Sequence, residues 1–254
     1  MPGKNDKVRV WTGRLISALA RTKEKKIRSA ILAEKLSRLK AQTIAMVIDE
    51  ICCKAEQKSP GYQEALSSLI DIPAITAVIG YPKMSEVYLS SRKMGCERAT
   101  RLLSNPPPRK KRYSEYDFAE GQVLDNVTLG MKRSLAKGIS KDTLDRLLYD
   151  PDPHVIRNIL NNPKMTERDV LKIASKRPTS GEILTEVFNN KKWGEVYSIK
   201  KALVKNPYTP TGLALGLINF MLVQDLKEIS RDGTIHPAVR GAADEILYQV
   251  AFKH

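Results

Sequence analysis

Cysteine is scarce in this 254-residue chain: Cys52, Cys53 and Cys96 are the whole complement, an odd number without CxxC spacing. That excludes a disulfide framework and the usual cysteine-based zinc sites, and it fits a reducing, cytoplasmic setting. The apolar run LISALA follows Lys4, Lys7 and Arg9, but Arg14 interrupts it and Arg21 to Lys26 comes at once. Six apolar residues make too short a core for an export signal. Long hydrophobic runs are absent as well; the longest, Leu213 to Val223, carries Asn219 and falls short of a bilayer span, so it reads as a buried helix.

Aromatic residues make up 6% of the chain, with two tryptophans, and there are three histidines, of which His254 is terminal and His236 precedes a proline. No GxSxG, GxxxxGK[ST], strand-linked GxGxxG or HExxH occurs. The convergent reactive sets that mark the common hydrolases, nucleotide enzymes and metalloproteases are therefore missing, and no catalytic, cofactor-binding or metal-binding residue is expected. Asp150, Asp152 and His154 form a DxDxH-like cluster, for which helix-capping acids in a turn are the simpler reading than a metal site. Cys52 and Cys53 read as structural thiols in a helix.

What the chain has in excess is positive charge, +15 in all. Residues 1–44 hold twelve Lys/Arg against Asp6, Glu24 and Glu34, residues 109–112 add four more cations, and the chain beyond is nearly balanced. Attraction for polyanions should thus come from the N-terminal arm and one short run.

Trp11, Leu15 and Leu19 share one face of a helix starting near Val8, and a long second helix is expected over about 23–57, with Ile27, Ile31, Ile44, Ile48 and Ile51 inward. Arg21, Lys25, Arg28 and Lys35 then fall on the opposite face, as a solvated stripe or a surface for phosphates or acidic partners. Shorter helices follow at about 62–70 and 73–80, with a strand as the alternative for IPAITAVIG, and another at about 84–103. A proline-rich basic linker over 105–118 contains Arg109, Lys110, Lys111 and Arg112, a second candidate anion site. It separates a basic helical segment, 1–104, from a regular region, 119–254.

That region repeats. Val155 to Pro163 lies over Ile199 to Pro207 with matching apolar positions, Asn162 over Asn206 and Asn-Pro at both ends, 44 residues apart. Pro237-Ala238-Val239-Arg240 restarts the phrase, and Arg133 precedes Arg157 by 24. Each Asx-Pro pair marks a helix boundary, because proline disfavours helix in the residue before it. Short hairpins of this kind cannot bury an apolar face alone and must stack on their neighbours, which predicts an all-α fold with a right-handed α-solenoid. Thr166 to Asp169 reads as a capping box, and Thr179 to Glu182 as the next helix start.

The phrase DPDPHVIRNILNNPKMTERDVLKIAS resembles the leucine-rich variant repeat and, more loosely, HEAT-like repeats, over about residues 128–247. The resemblance implies structural roles for Asp150, Asp152, Arg157 and Arg240, which would stitch neighbouring repeats. The iron–sulfur cluster of some leucine-rich variant proteins needs four cysteines and is not carried over. HEAT-like DNA glycosylases use aromatic and acidic residues on a basic face; Trp193, Glu195, Lys191 and Lys192 offer only a fragment of that.

The expected function is a non-enzymatic adaptor that binds a protein partner, with the basic arm favouring anionic surfaces. The rival is a weakly sequence-specific nucleic-acid binder using Arg21, Lys25, Arg28, Lys35 and the Arg109 to Arg112 run. A third reading attaches Trp11, Leu15 and Leu19 to a membrane surface.

Overall fold

The computed structural model describes residues 4–111 and 127–251. Among them are sixteen α-helices and no strand. They divide into two compact units. One takes the chain up to Pro106 together with Leu215–Leu222 and the residues from Glu245 onward; the other takes Pro107–Ala214 and Val223–Asp244. The division differs from the sequence-based one at 1–104, 105–118 and 119–254, because two late segments group with the N-terminal helices.

The first unit is organised on α3 (Ala41–Glu56), whose Ile44, Ile48 and Ile51 are wholly buried. Around it pack α1 (Lys4–Leu19), α4 (Pro60–Leu69), α6 (Tyr81–Lys93), α7 (Glu97–Leu103) and a 3-10 turn, Ile218–Phe220. Meanwhile α2 (Lys25–Ser37) lies against α4 and α5 (Ile72–Ile79). IPAITAVIG is thus helical, capped by the Asp71 carboxylate and ended at Gly80, where φ is +92°. Only glycine enters that region freely.

Two long helices expected from the sequence are each broken. The 23–57 helix stops at Arg38 and restarts after Lys40, without proline or glycine; both halves pack on α4, but α2 turns to α5 and α3 to α6 and α7. The 84–103 helix breaks at Gly95, which has φ +67°.

In the second unit the helices are short: α8 (Leu129–Leu135), α9 (Lys141–Leu147), α10 (Pro153–Leu160), α11 (Glu167–Ser175), α12 (Gly181–Asn189), α13 (Tyr197–Lys205), the start of α14 (Thr211–Leu217), α15 (Val223–Arg231) and the start of α16 (Pro237–Ala251). Side chains begin most of them. Thr128, Ser140, Asp152 and Ser180 each accept a backbone N–H of the first turn, and Thr166 with Asp169 forms the capping box expected from the sequence. Helices contact their next-but-one neighbours: α10 packs on α8 and α12, and α11 on α13. The run Leu213 to Val223, expected as one buried helix, is divided between α14, the 3-10 turn and the start of α15, although Leu213 to Met221 stay buried.

Candidate functional site

The N-terminal basic stripe does not survive as drawn. Arg28 is 7% exposed and lies on the packed side of α2 with Ser29, Leu32, Ala33 and Leu36, while Ile27, expected inward, is 49% exposed. Its guanidinium donates to Ser68 Oγ (3.3 Å), to the carbonyls of Thr22 (3.2 Å) and Lys23 (3.3 Å), and to Glu64 (3.4 Å). It closes the turn ahead of α2 instead of meeting phosphates. Arg21 and Lys35 are exposed and Lys25 is half-buried, but Arg21 precedes the helix, so the four residues share no face. Leu15 and Leu19 are buried, which removes most of the apolar edge proposed for a membrane surface. No helix among the described residues is long and apolar enough to cross a membrane.

The second basic run is held in place. Lys110 donates its backbone N–H to the Pro207 carbonyl (3.0 Å), and Thr211 Oγ1 donates to the Pro107 carbonyl (3.2 Å). Residues 107–111 therefore form a strap whose Arg109, Lys110 and Lys111 side chains are exposed. Arg112 lies outside the described residues, as does the rest of the expected linker. The strap sits near the start of α16: burial, and then the charge of Arg109, pull His236 below its ordinary pKa.

The positions expected to repeat carry the most regular chemistry. Asn162 Nδ2 donates to the carbonyls of Ala136 (3.0 Å) and Gly138 (2.7 Å), and its Oδ1 accepts Lys164 N–H (3.0 Å). Asn206 does the same to Ala174 (2.8 Å) and Lys176 (3.0 Å), and accepts Tyr208 N–H (3.1 Å). Each buried amide answers the orphan carbonyls at the end of an earlier helix, α8 or α11. The positions before them reach forward. Arg157 grips Glu186 on α12 with two donors (2.8 and 2.5 Å), and Lys201, its counterpart, pairs with Asp225 (2.8 Å) and Glu228 (3.1 Å) on α15. Asn161 accepts from Asn190 (3.0 Å), and its counterpart Lys205 pairs with Glu228 (2.6 Å).

Asp150 and Asp152 are likewise occupied. Asp150 pairs with Lys132 (3.1 Å) and accepts Asp152 N–H (2.9 Å); Asp152 caps α10 and meets Arg133 (3.4 Å). Among the described residues no group of His, Cys, Asp and Glu could hold a metal ion. Arg240 departs from the stitching role, since its Nε is buried with no hydrogen-bond partner among the described residues. Trp193 is 4% exposed and donates its indole N–H to the Leu160 carbonyl (2.9 Å), so it is a packing residue and not a stacking platform. Cys52 is buried, and burial pushes its thiol well up.

Sequence reasoning missed an ion cluster in the first unit. Glu56, 8% exposed, accepts from Arg98 (2.7 Å) and Arg101 (2.9 Å), and Arg101 also pairs with Glu245 (2.6 Å) on α16. The i, i+3 spacing of the two arginines on α7 was the one local signal. The first unit also has a groove of about 410 Å³ lined by Val8, Arg9, Met46, Asp49, Glu50, Met94 and Cys96. Its acids are partly spent: Asp49 accepts Ala99 N–H (3.1 Å) at the start of α7, and Glu50 lies 3.8 Å from Arg9. No family model, curated protein or solved structure gives a match to this chain.

Proposed function

We propose that the second unit is a right-handed α-solenoid of HEAT-like or leucine-rich-variant-like hairpins, and that the chain is a non-enzymatic adaptor binding a protein partner on it. The observation that carries the reading is the equivalence of Asn162 and Asn206. Residues 44 apart reach back to an earlier helix end through two hydrogen bonds each and accept the N–H two residues ahead in the same way, and the cations five residues before them both reach forward. A row whose members bond backward and forward alike leaves long side faces open, and such faces serve for binding. The polar groups support this use: cations of the repeats are matched by neighbouring acids, and Asp150, Asp152 and Asp169 are taken up by caps and ion pairs.

The test is to purify the full chain with its native partner, reconstitute the pair and footprint it by hydrogen exchange. Protection on the outer sides of α10 and α12, around the exposed His154, Asn161 and Glu182, supports the reading. A complex that protects only the first unit, or turnover of a small molecule by the purified chain, refutes it.

A further inference from the structure

The strap at 107–111 does something that a solvated basic loop does not. Two backbone hydrogen bonds, Lys110 N–H to Pro207 and Thr211 Oγ1 to the Pro107 carbonyl, hold it in register. Prolines 106, 107 and 108 restrict it further. Arg109, Lys110 and Lys111 make no ion pair among the described residues, in a unit where Arg157, Lys141, Lys201 and Lys205 all do. Beside them Arg177, also exposed, donates to the Lys205 carbonyl (2.6 Å), two residues from the strap's anchor at Pro207.

The charge of Arg109 is felt at His236, the residue before α16, whose Nδ1 accepts Ala238 N–H (3.0 Å). One turn further stands Arg240, on the same side of the helix by its four-residue spacing. Its Nε is out of water and has no acceptor among the described residues. A buried donor left without an acceptor destabilises the fold, and an anion arriving at the guanidinium would relieve it. The acid at this corner, Asp232, already accepts Thr234 N–H (2.9 Å) and Thr234 Oγ1 (2.7 Å).

We propose that the anchored strap of Arg109, Lys110 and Lys111, together with Arg240 on α16, is a docking site for the phosphate backbone of a nucleic acid. An acidic protein fits less well. Protein interfaces need a buried aromatic or aliphatic anchor, whereas backbone binding needs only placed cations. Among the described residues of this unit the exposed large apolar side chains are Leu129, Met131, Ile139, Tyr149 and Val223, and none belongs to the strap or the start of α16. The site does not depend on how the repeats bind a protein partner.

The experiment is fluorescence anisotropy of the full chain with labelled duplex and single-stranded oligonucleotides across salt. Four phosphate contacts give a slope of log K against log salt of about −3.6 on duplex, which is roughly a hundredfold loss between 50 and 200 mM. The variant R109Q/K110Q/K111Q keeps the anchoring backbone groups and lowers the steepness by about 2.7, and R240Q lowers it by about 0.9. R21Q/K35Q, in the other basic region, leaves it unchanged. Unchanged melting shows that each variant is folded, and photo-crosslinks from the oligonucleotide fall on 107–111 and 236–240. Absence of oligonucleotide binding, a slope indifferent to the strap variant, equal loss with R21Q/K35Q, or binding of a phosphorylated or acidic peptide in place of the oligonucleotide each overturns the proposal.

Discussion

Replacing Asn162 or Asn206 by alanine removes three hydrogen bonds at a buried site and abandons one wholly buried carbonyl, of Ala136 or Ala174. A typical intramolecular hydrogen bond contributes about 1 kcal/mol net, more where the abandoned partner stays dry. At Asn206, 2% exposed, the Ala174 carbonyl is buried and cannot find water, so Asn206→Ala costs about 3 kcal/mol. At Asn162 the Ala136 carbonyl is buried in the same way, so Asn162→Ala costs about as much. Asn162→Asp should be worse than alanine, because it sets a carboxylate against two carbonyl oxygens. In a chain of this size each kcal/mol moves the midpoint by about 2–4 °C.

Because the chain divides into two compact units, the readout must report on the second alone. Trp193 serves, being buried against the Leu160 carbonyl, once Trp11 is replaced by phenylalanine. Urea unfolding followed by its fluorescence gives the two costs directly. The equivalence of the two asparagines is wrong if either substitution falls within about 0.5 kcal/mol of wild type, the ordinary range for surface changes. It is equally wrong if Asn161→Ala, at an exposed neighbour, costs as much.

Three further outcomes follow from the same geometry. Glu56→Ala leaves Arg98 and Arg101 facing a lost partner and should destabilise the first unit by about 3–5 kcal/mol, read by the emission of Trp11; a cost under 1 kcal/mol would show the cluster to be idle. Burial raises the Asp169 carboxyl, but bonds from Lys141 and Thr166 outweigh it and hold the pKa down at about 2, against 3.8 ordinarily. The folded value is depressed, so its stabilisation is full above about pH 4 and is lost as pH falls toward 2; Asp169→Asn should flatten the acid limb of stability in that window, and an unaltered limb counts against the bonds. Arg28→Ala should lower stability by about 2 kcal/mol through its buried hydrogen bonds and leave oligonucleotide affinity unchanged; weakened binding at unchanged stability would restore it to the anion site.

How much of this was legible depended on how local the cause was. The helix starts at Asp152, Thr166 and Ser180 follow from a side chain and a backbone N–H two or three residues away, and sequence reading found them. The 44-residue kinship of Asn162 and Asn206 was visible as a pattern, but the carbonyls they answer lie 24 to 32 residues upstream and needed the packed helices. Arg28 was misplaced for a related reason. The apolar spacing of Ile27 and Ile31 set the phase of a helix treated as continuous to 57, whereas packing on α4 and α5 turns the opposite side inward and buries an arginine with its own partners. No residue at 38–40 announces the break. The grouping of Leu215–Leu222 with the N-terminal helices has no local signature either, although Gly216 carries a trace of it: a Cβ there would lie 2.4 Å from Ile70 Cγ1.

The most direct test of the repeat row is residue-resolved hydrogen exchange on Asn162→Ala and Asn206→Ala, each compared with wild type under native conditions. In a row coupled only between neighbours, the first variant speeds exchange in α8 to α10 and spares α13, while the second speeds it in α11 to α13 and spares α8. Uniform acceleration across all the helices from 129 to 205 in both variants would show one undivided globular core and contradict the repeat architecture.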